Sequence, residues 1–142
     1  MVREKVLIVD DDESVRWVLK KSLEKEGIET VLAKDATEAL DRIKEGGIAI
    51  VLMDIRMPGM SGFEALDNIQ AENRGPSVII MTAQATMQNA IEAMRRGAFD
   101  YITKPFDLDE VNILVRKAIE VSRLSQEVHT LRAEVLEKYE GG

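Results

Sequence analysis

The chain has 142 residues, 45% hydrophobic and 32% charged, enough for one domain with a proper core and too few for two. It has no cysteine, which excludes disulfides, zinc-thiolate sites and thiol nucleophiles, and its net charge of −7 opposes a nucleic-acid surface, which needs clustered Lys and Arg. No apolar run reaches the ~18 residues of a membrane span, and the opening MVREKVLIVDDD lacks the apolar length and cleavage site of a signal peptide, so a cytoplasmic protein with no membrane partner is expected.

The first predicted strand is Lys5 to Val9, a short β-branched run that stops at Asp10, Asp11 and Asp12. Val15, Val18, Leu19 and Leu23 then recur at helical spacing, and Gly27 is the expected left-handed cap. Glu29 to Ala33 reads as a second strand, and Asp35-Ala36-Thr37-Glu38 has the spacing of a capping box that opens a helix with Ala39, Leu40 and Ile43 on its apolar face. Gly46-Gly47 ends that helix. The next strand, Ile48 onward, is apolar on every residue until Asp54, and the chain turns at Pro58-Gly59. A strand apolar on both faces must be covered on both faces, which is the habit of the central strand of a parallel sheet.

Phe63, Leu66 and Ile69 mark a third helix, and Arg74-Gly75-Pro76 breaks it before a fourth strand, Ser77 to Met81. Met87, Ala90, Ile91 and Met94 give the i, i+3, i+4, i+7 face of a fourth helix, which stops at Gly97. Asp100 to Thr103 is a short fifth strand ending at Lys104-Pro105, and a fifth helix follows from Leu108. Five strands alternate with five helices. Right-handed crossovers and neighbouring sequential strands make the expected fold α/β, a doubly wound three-layer sandwich around a parallel sheet of order 2-1-3-4-5.

In such a sheet all strand carboxyl ends share one edge, where ligands bind. That edge receives Asp10, Asp11 and Asp12 from strand one, Asp54 from strand three, Thr82 from strand four and Lys104 from strand five. Carboxylates so close repel unless a hard divalent cation with oxygen ligands sits among them, and Mg²⁺ is the expected resident. With the metal and Lys104 beside it, Asp54 stays ionised and is a candidate nucleophile toward a phosphoryl group. Thr82 and Lys104 would hold phosphoryl oxygens.

Plainer readings exist for several of these residues. Asp12 fits a helix cap as well as it fits the acidic cluster. Tyr101 fits the edge of the core with its hydroxyl at the surface, and the methionines fit gap-filling better than a cofactor box. His129 is the only histidine and lies in the polar tail, so the chain is not its own phosphohistidine donor. A haloacid-dehalogenase-type phosphatase also uses a strand-end Asp with Mg²⁺, but it needs D-x-D where this chain has Asp54-Ile55-Arg56. A flavodoxin-like carrier needs a hydroxyl- and glycine-rich phosphate loop after strand one, where three acids would repel FMN phosphate.

The segments IVDD at Ile8 to Asp11, LMDIRMPGMSG at Leu52 to Gly62, MTA at Met81 to Ala83 and DYITKPF at Asp100 to Phe106 resemble the receiver domain of two-component response regulators. The resemblance runs from about Lys5 to Ala118. It implies that Asp54 accepts phosphate from a histidine kinase's phosphohistidine, and that Asp11, Asp54 and the Arg56 backbone carbonyl bind Mg²⁺, with Asp10 helping through water. It also implies a switch pair of Thr82 and Tyr101 and a cis Lys104-Pro105 bond. The segments RWVL at Arg16 to Leu19 and FDYITKPFDLDEV are most similar to the NtrC branch, whose receivers precede an ATPase and a DNA-binding domain. No such output domain lies within these 142 residues.

The fifth helix first shows Val111, Leu114, Val115, Ala118 and Ile119, a stripe wide enough to pack on the sheet. It then narrows to Val121, Leu124, Val128, Leu131 and Val135, which alternate by three and four residues, valine at a and leucine at d, the pattern of a parallel two-stranded coiled coil. With no Gly or Pro between Leu108 and Glu140, the helix is expected to run about 30 residues. The expected division is a receiver domain at 1–118 and a coiled-coil linker at 119–142 that joins a homodimer. Lys138 at the next d position and the short run of heptads also fit a solvated helix.

Overall fold

The structure, a computed structural model, describes residues 4–72, 75–83 and 86–140, with side chains up to residue 124. Its elements in order are β1 (Lys5–Val9), α1 (Glu13–Lys25), β2 (Glu29–Ala33), α2 (Ala36–Lys44), β3 (Ile48–Asp54), α3 (Gly62–Gln70), β4 (Ser77–Thr82), α4 (Met87–Arg95), β5 (Asp100–Thr103) and α5 (Leu108–Glu140). The strands form one parallel sheet of order β2-β1-β3-β4-β5, the order read from the sequence.

Strand alternation divides the core in two. Leu7, Val9, Val51, Met53, Val78 and Ile80 point to one face, where Ala36, Ala39, Leu66, Ile69 and Ala93 of α2, α3 and α4 cover them. Val6, Ile8, Ile50, Leu52, Ile79 and Met81 point to the other, beneath Leu19 and Leu23 of α1 and Val111, Val115 and Ala118 of α5. Ile50 to Met53 are wholly buried because β3 lies at the centre with helices above and below. Among the described residues no helix is long and apolar enough to cross a membrane.

The helix starts follow local side-chain chemistry. Asp12 caps α1 by accepting from the Ser14 N–H, so the cap reading of that residue holds, and Asp35 caps α2 by accepting from the Glu38 N–H as expected. Ser61 caps α3 by accepting from the Glu64 N–H, and Thr86 caps α4 by accepting from Asn89. The first was readable, since Ser61-Gly62-Phe63-Glu64 repeats the spacing seen at Asp35. Gly27 ends α1 at φ 78°, the left-handed cap that its position predicts.

The apolar stripe of α4 is not the side that meets the sheet: Met87, Ile91 and Met94 are 79%, 51% and 49% exposed, and the residue of α4 that is buried is Ala93. Periodicity locates an apolar stripe but does not say which stripe meets the sheet, and here the small side chain allows the close approach. Val18 is likewise exposed on α1, beside Trp17, whose ring lies 4.8 Å from Lys21 Nζ.

The junction between β3 and α3 is closed backbone against backbone. A Cβ on Gly62 would lie 2.6 Å from the Asp54 carbonyl oxygen and 2.6 Å from Ile55 Cα, both backbone atoms with no freedom to rotate away. Gly62→Ala is therefore expected to destabilise the protein by about 1–3 kcal/mol through overpacking. Urea denaturation should show a lower midpoint with an unchanged slope, and a wild-type midpoint would refute the close approach.

Candidate functional site

At the carboxyl edge of the sheet, register and chain reversal bring the predicted residues together. Val9 pairs with Met53 and Asp54 with Met81, so Asp10, Asp54 and Thr82 follow one another across β1, β3 and β4. Lys104 arrives from beyond β5, its backbone N–H donating to the Thr82 carbonyl at 2.8 Å. The Lys104-Pro105 bond is cis, as the resemblance implied.

Lys104 Nζ donates to Asp10 Oδ2 at 2.6 Å and to Asp54 Oδ2 at 2.7 Å, so one ammonium bridges two carboxylates. Burial works to lower the Lys104 pKa, but the hydrogen bonds and charges of Asp10 and Asp54 outweigh it and the net shift is upward. Lys104 is therefore a cation at neutral pH. The remaining oxygens are also engaged: Asp10 Oδ1 accepts from the Asp12 N–H at 2.9 Å, and Asp54 Oδ1 from the Arg56 N–H at 2.9 Å. Arg16, which the motif reading left without a role, donates to the Asp10 carbonyl at 2.6 Å. Asp10 is wholly buried and Asp54 is 7% exposed, whereas Asp11 is open to solvent.

Carboxylate oxygens of Asp10, Asp11 and Asp54 lie within 4.8 Å of one another. Three hard oxygen donors from two adjacent strand ends, on an edge that solvent reaches through Asp11, suit a divalent cation such as Mg²⁺. Outside them a cleft of about 510 Å³ is lined by Asp11, Ile55, Arg56, Met57, Pro58, Ser61 and Asn89. Asn89, on the first turn of α4, is a member that sequence reasoning missed. Nothing in its spacing marks it, because it reaches the cleft only through the packing of α4 beside the loop after β3.

Thr82 is 1% exposed. Tyr101 pairs with Ile80, two residues before Thr82, so Tyr101 and Thr82 are diagonal neighbours on the same face of the sheet. Tyr101 is half-buried against the core there, and burial pushes its phenol above its ordinary pKa. In the tail, α5 runs 33 residues, and Val121 and Leu124 are 41% and 54% exposed. The side chains of Val128, Leu131 and Val135, and of His129, fall outside the described residues.

Comparison with known proteins agrees with this geometry. The model of the response regulator receiver domain family matches residues 6–116. The chain is 39% identical over 138 residues to the regulatory protein AtoC of Escherichia coli strain K12, covering 97% of this chain and 30% of AtoC. To the DNA-binding transcriptional regulator NtrC of the same strain it is 42% identical over 119 residues, covering 84% of this chain and 25% of NtrC. It thus spans under a third of the length of these curated relatives. The crystal structure of NtrX from Brucella abortus with ADP superposes with a TM-score of 0.82 at 34% identity, over 93% of this chain and 29% of that one. A receiver domain from Clostridium thermocellum superposes at 0.80 and 34% identity, over 85% of this chain and 98% of that one. A bridged acidic edge on a 2-1-3-4-5 sheet and a family match over residues 6–116 have one reading: the chain belongs to the response regulator receiver domains of two-component systems, in their NtrC-type branch.

Proposed function

We propose that the chain takes a phosphoryl group from the phosphohistidine of a partner histidine kinase onto Asp54, in a Mg²⁺-dependent reaction. The observation that supports this most is the Lys104 ammonium held between Asp10 and Asp54 at 2.6 and 2.7 Å. It keeps Asp54 an acceptor with electron pairs to donate, beside a cation ready for the incoming oxygens. In the transfer an Asp54 carboxylate oxygen forms a bond to phosphorus as the bond from phosphorus to the imidazole nitrogen breaks, and the imidazole leaves with that electron pair. The protein's share is positioning and charge. Lys104 moves its hydrogen bond from Asp54 to a phosphoryl oxygen, and the Arg56 N–H holds the Asp54 carboxylate in place. Asp11, Asp54 and the Arg56 carbonyl would hold Mg²⁺, which supplies positive charge to the phosphoryl oxygens when bound. Asp10, already engaged by Lys104 and the Asp12 N–H, suits a role through water.

The product adds up to about two negative charges and new acceptor oxygens. The Thr82 hydroxyl is drawn toward them, and Tyr101, its diagonal neighbour, turns into the space released. The face of α4, β5 and α5 changes as a result. Beyond its own phosphoryl transfer and slow autodephosphorylation the domain is not an enzyme. Residues 1–118 act as the receiver, and 119–142 join two copies through Val121, Leu124, Val128, Leu131 and Val135, carrying the change toward ATPase and DNA-binding output domains of the full protein. The exposure of Val121 and Leu124 in a single chain supports that role.

Acetyl phosphate with Mg²⁺ should add one phosphoryl group to the intact mass, labile to hydroxylamine. Chelation of the metal, Asp11→Ala or Asp54→Asn should abolish the gain. A hydroxylamine-resistant label on Asp54→Asn would sink the assignment.

Lys104→Met leaves two buried carboxylates facing each other without a cation, which costs on the order of 3 kcal/mol. The loss in urea midpoint should be large in EDTA and partly recovered in millimolar Mg²⁺; equal losses in both would show that the metal does not sit among these carboxylates.

Sedimentation equilibrium should give a dimer for the full chain and a monomer for a version ending near Ala118. Monomers from both at tens of micromolar, with and without the phosphoryl mimic beryllofluoride, would refute the coiled coil.

A further inference from the structure

Helix α4 is held to the domain in an unusual way. Its large apolar residues Met87, Ile91 and Met94 face solvent, and Ala93 alone among its nine residues is fully buried. Apolar burial stabilises in proportion to area, so a helix seated on an alanine is held weakly by packing. Besides its seat on β5, it is tied at its carboxyl end by polar contacts to α3. Arg96 Nη1 donates to Asp67 Oδ2 at 2.9 Å, its guanidinium lies 5.1 Å from the centre of the Phe63 ring, and Gln70 Nε2 donates to the Gly97 carbonyl at 2.7 Å. Arg96 is steadied from its own helix by Glu92, which accepts from Nε at 2.7 Å. The hydrogen bond from Arg96 holds the Glu92 carboxyl below its ordinary pKa. Gly97 suits this arrangement: its φ of 96° is left-handed backbone that favours glycine, and a Cβ there would push the Gln70 amide out of its present place.

The other end of α4 borders the functional cleft, which Asn89 lines together with Asp11 and Arg56. Helix α3 in turn starts with Gly62 against the Asp54 carbonyl. The helix therefore has one end beside the phosphoacceptor, little apolar hold along its length, and a polar clasp at the far end to the element that follows Asp54. We propose that the contact of Arg96 with Asp67 and Phe63 is a latch specific to the resting position of α4, and that it sets how readily the domain switches. This rests on the reading of Asp54 as the phosphoacceptor. A contact made in one of two positions favours that position by its own free energy, so breaking it raises the population of the other and the apparent affinity of whatever binds there. An exposed ion pair of this kind bounds the effect at about two- to fivefold.

The test uses the full chain with ¹³C-labelled Met and Ile methyl groups, titrated with beryllofluoride in the presence of Mg²⁺. Wild type should shift the resonances of Met87, Ile91 and Met94. Asp67→Asn and Arg96→Met should each move the same resonances partway toward their bound positions before any titrant is added, and lower the midpoint about two- to fivefold. The double variant should do no more than Arg96→Met alone, because Asp67→Asn removes a link that Arg96→Met already removes. Asp67 is exposed, so Asp67→Asn tests the latch even where Arg96→Met loosens α3 by loss of packing on Phe63. Wild-type midpoints and wild-type starting shifts in both single variants, with wild type responding normally, would overturn the latch alone. Absence of any response near Asp54 in wild type would overturn the phosphoacceptor reading and the latch with it. Additive effects in the double variant would mean that the two residues act separately, and would also overturn it.

Discussion

The Lys104 bridge to Asp10 and Asp54 is the contact on which the functional edge depends. It spans 94 residues of sequence to one partner and 50 to the other, so it forms only when β1, β3 and β5 have all found their places in the sheet. Buried carboxylates this close destabilise a fold unless a cation compensates them. The chain supplies that cation from its own last strand end. The arrangement is held by the fold and is also available to be broken, since the hydrogen bond that Lys104 makes to Asp54 is one that an incoming anionic oxygen can replace.

Much of this was legible in the sequence because a parallel sheet turns chain position into spatial position. Once the five apolar runs are read as parallel strands, their carboxyl ends share an edge, and Asp10, Asp11, Asp54, Thr82 and Lys104 converge without any knowledge of side-chain geometry. The unbroken apolar run before Asp54 identified the central strand, and β3 is buried on both faces as that run required. The long fifth helix was equally plain, since no Gly or Pro interrupts it.

What periodicity left out was direction and closeness. The i, i+3, i+4, i+7 pattern of α4 was real, but it marks the outward face, because Ala93 is what allows the helix near the sheet. Gly62 looks in sequence like one more turn residue after Pro58-Gly59. Only the packing of α3 against the Asp54 carbonyl reveals that it is a contact point. Asn89 and Arg96 belong to no motif, and their roles come from which loops and helices happen to lie beside α4.

The length of α5 carries a consequence of its own. At about 1.5 Å per residue, its 33 residues make a rod of about 50 Å, roughly two-thirds of which lies past the last apolar residue that it buries against the sheet. A rod without a break fixes the bearing of its far end as well as its reach. Each residue added or removed between Ile119 and Glu140 would swing everything beyond it by about 100° around the helix axis, whereas a change of seven would nearly restore the original heading. The spacing of this segment is therefore an angular specification: the number of residues in it sets which way a following domain faces.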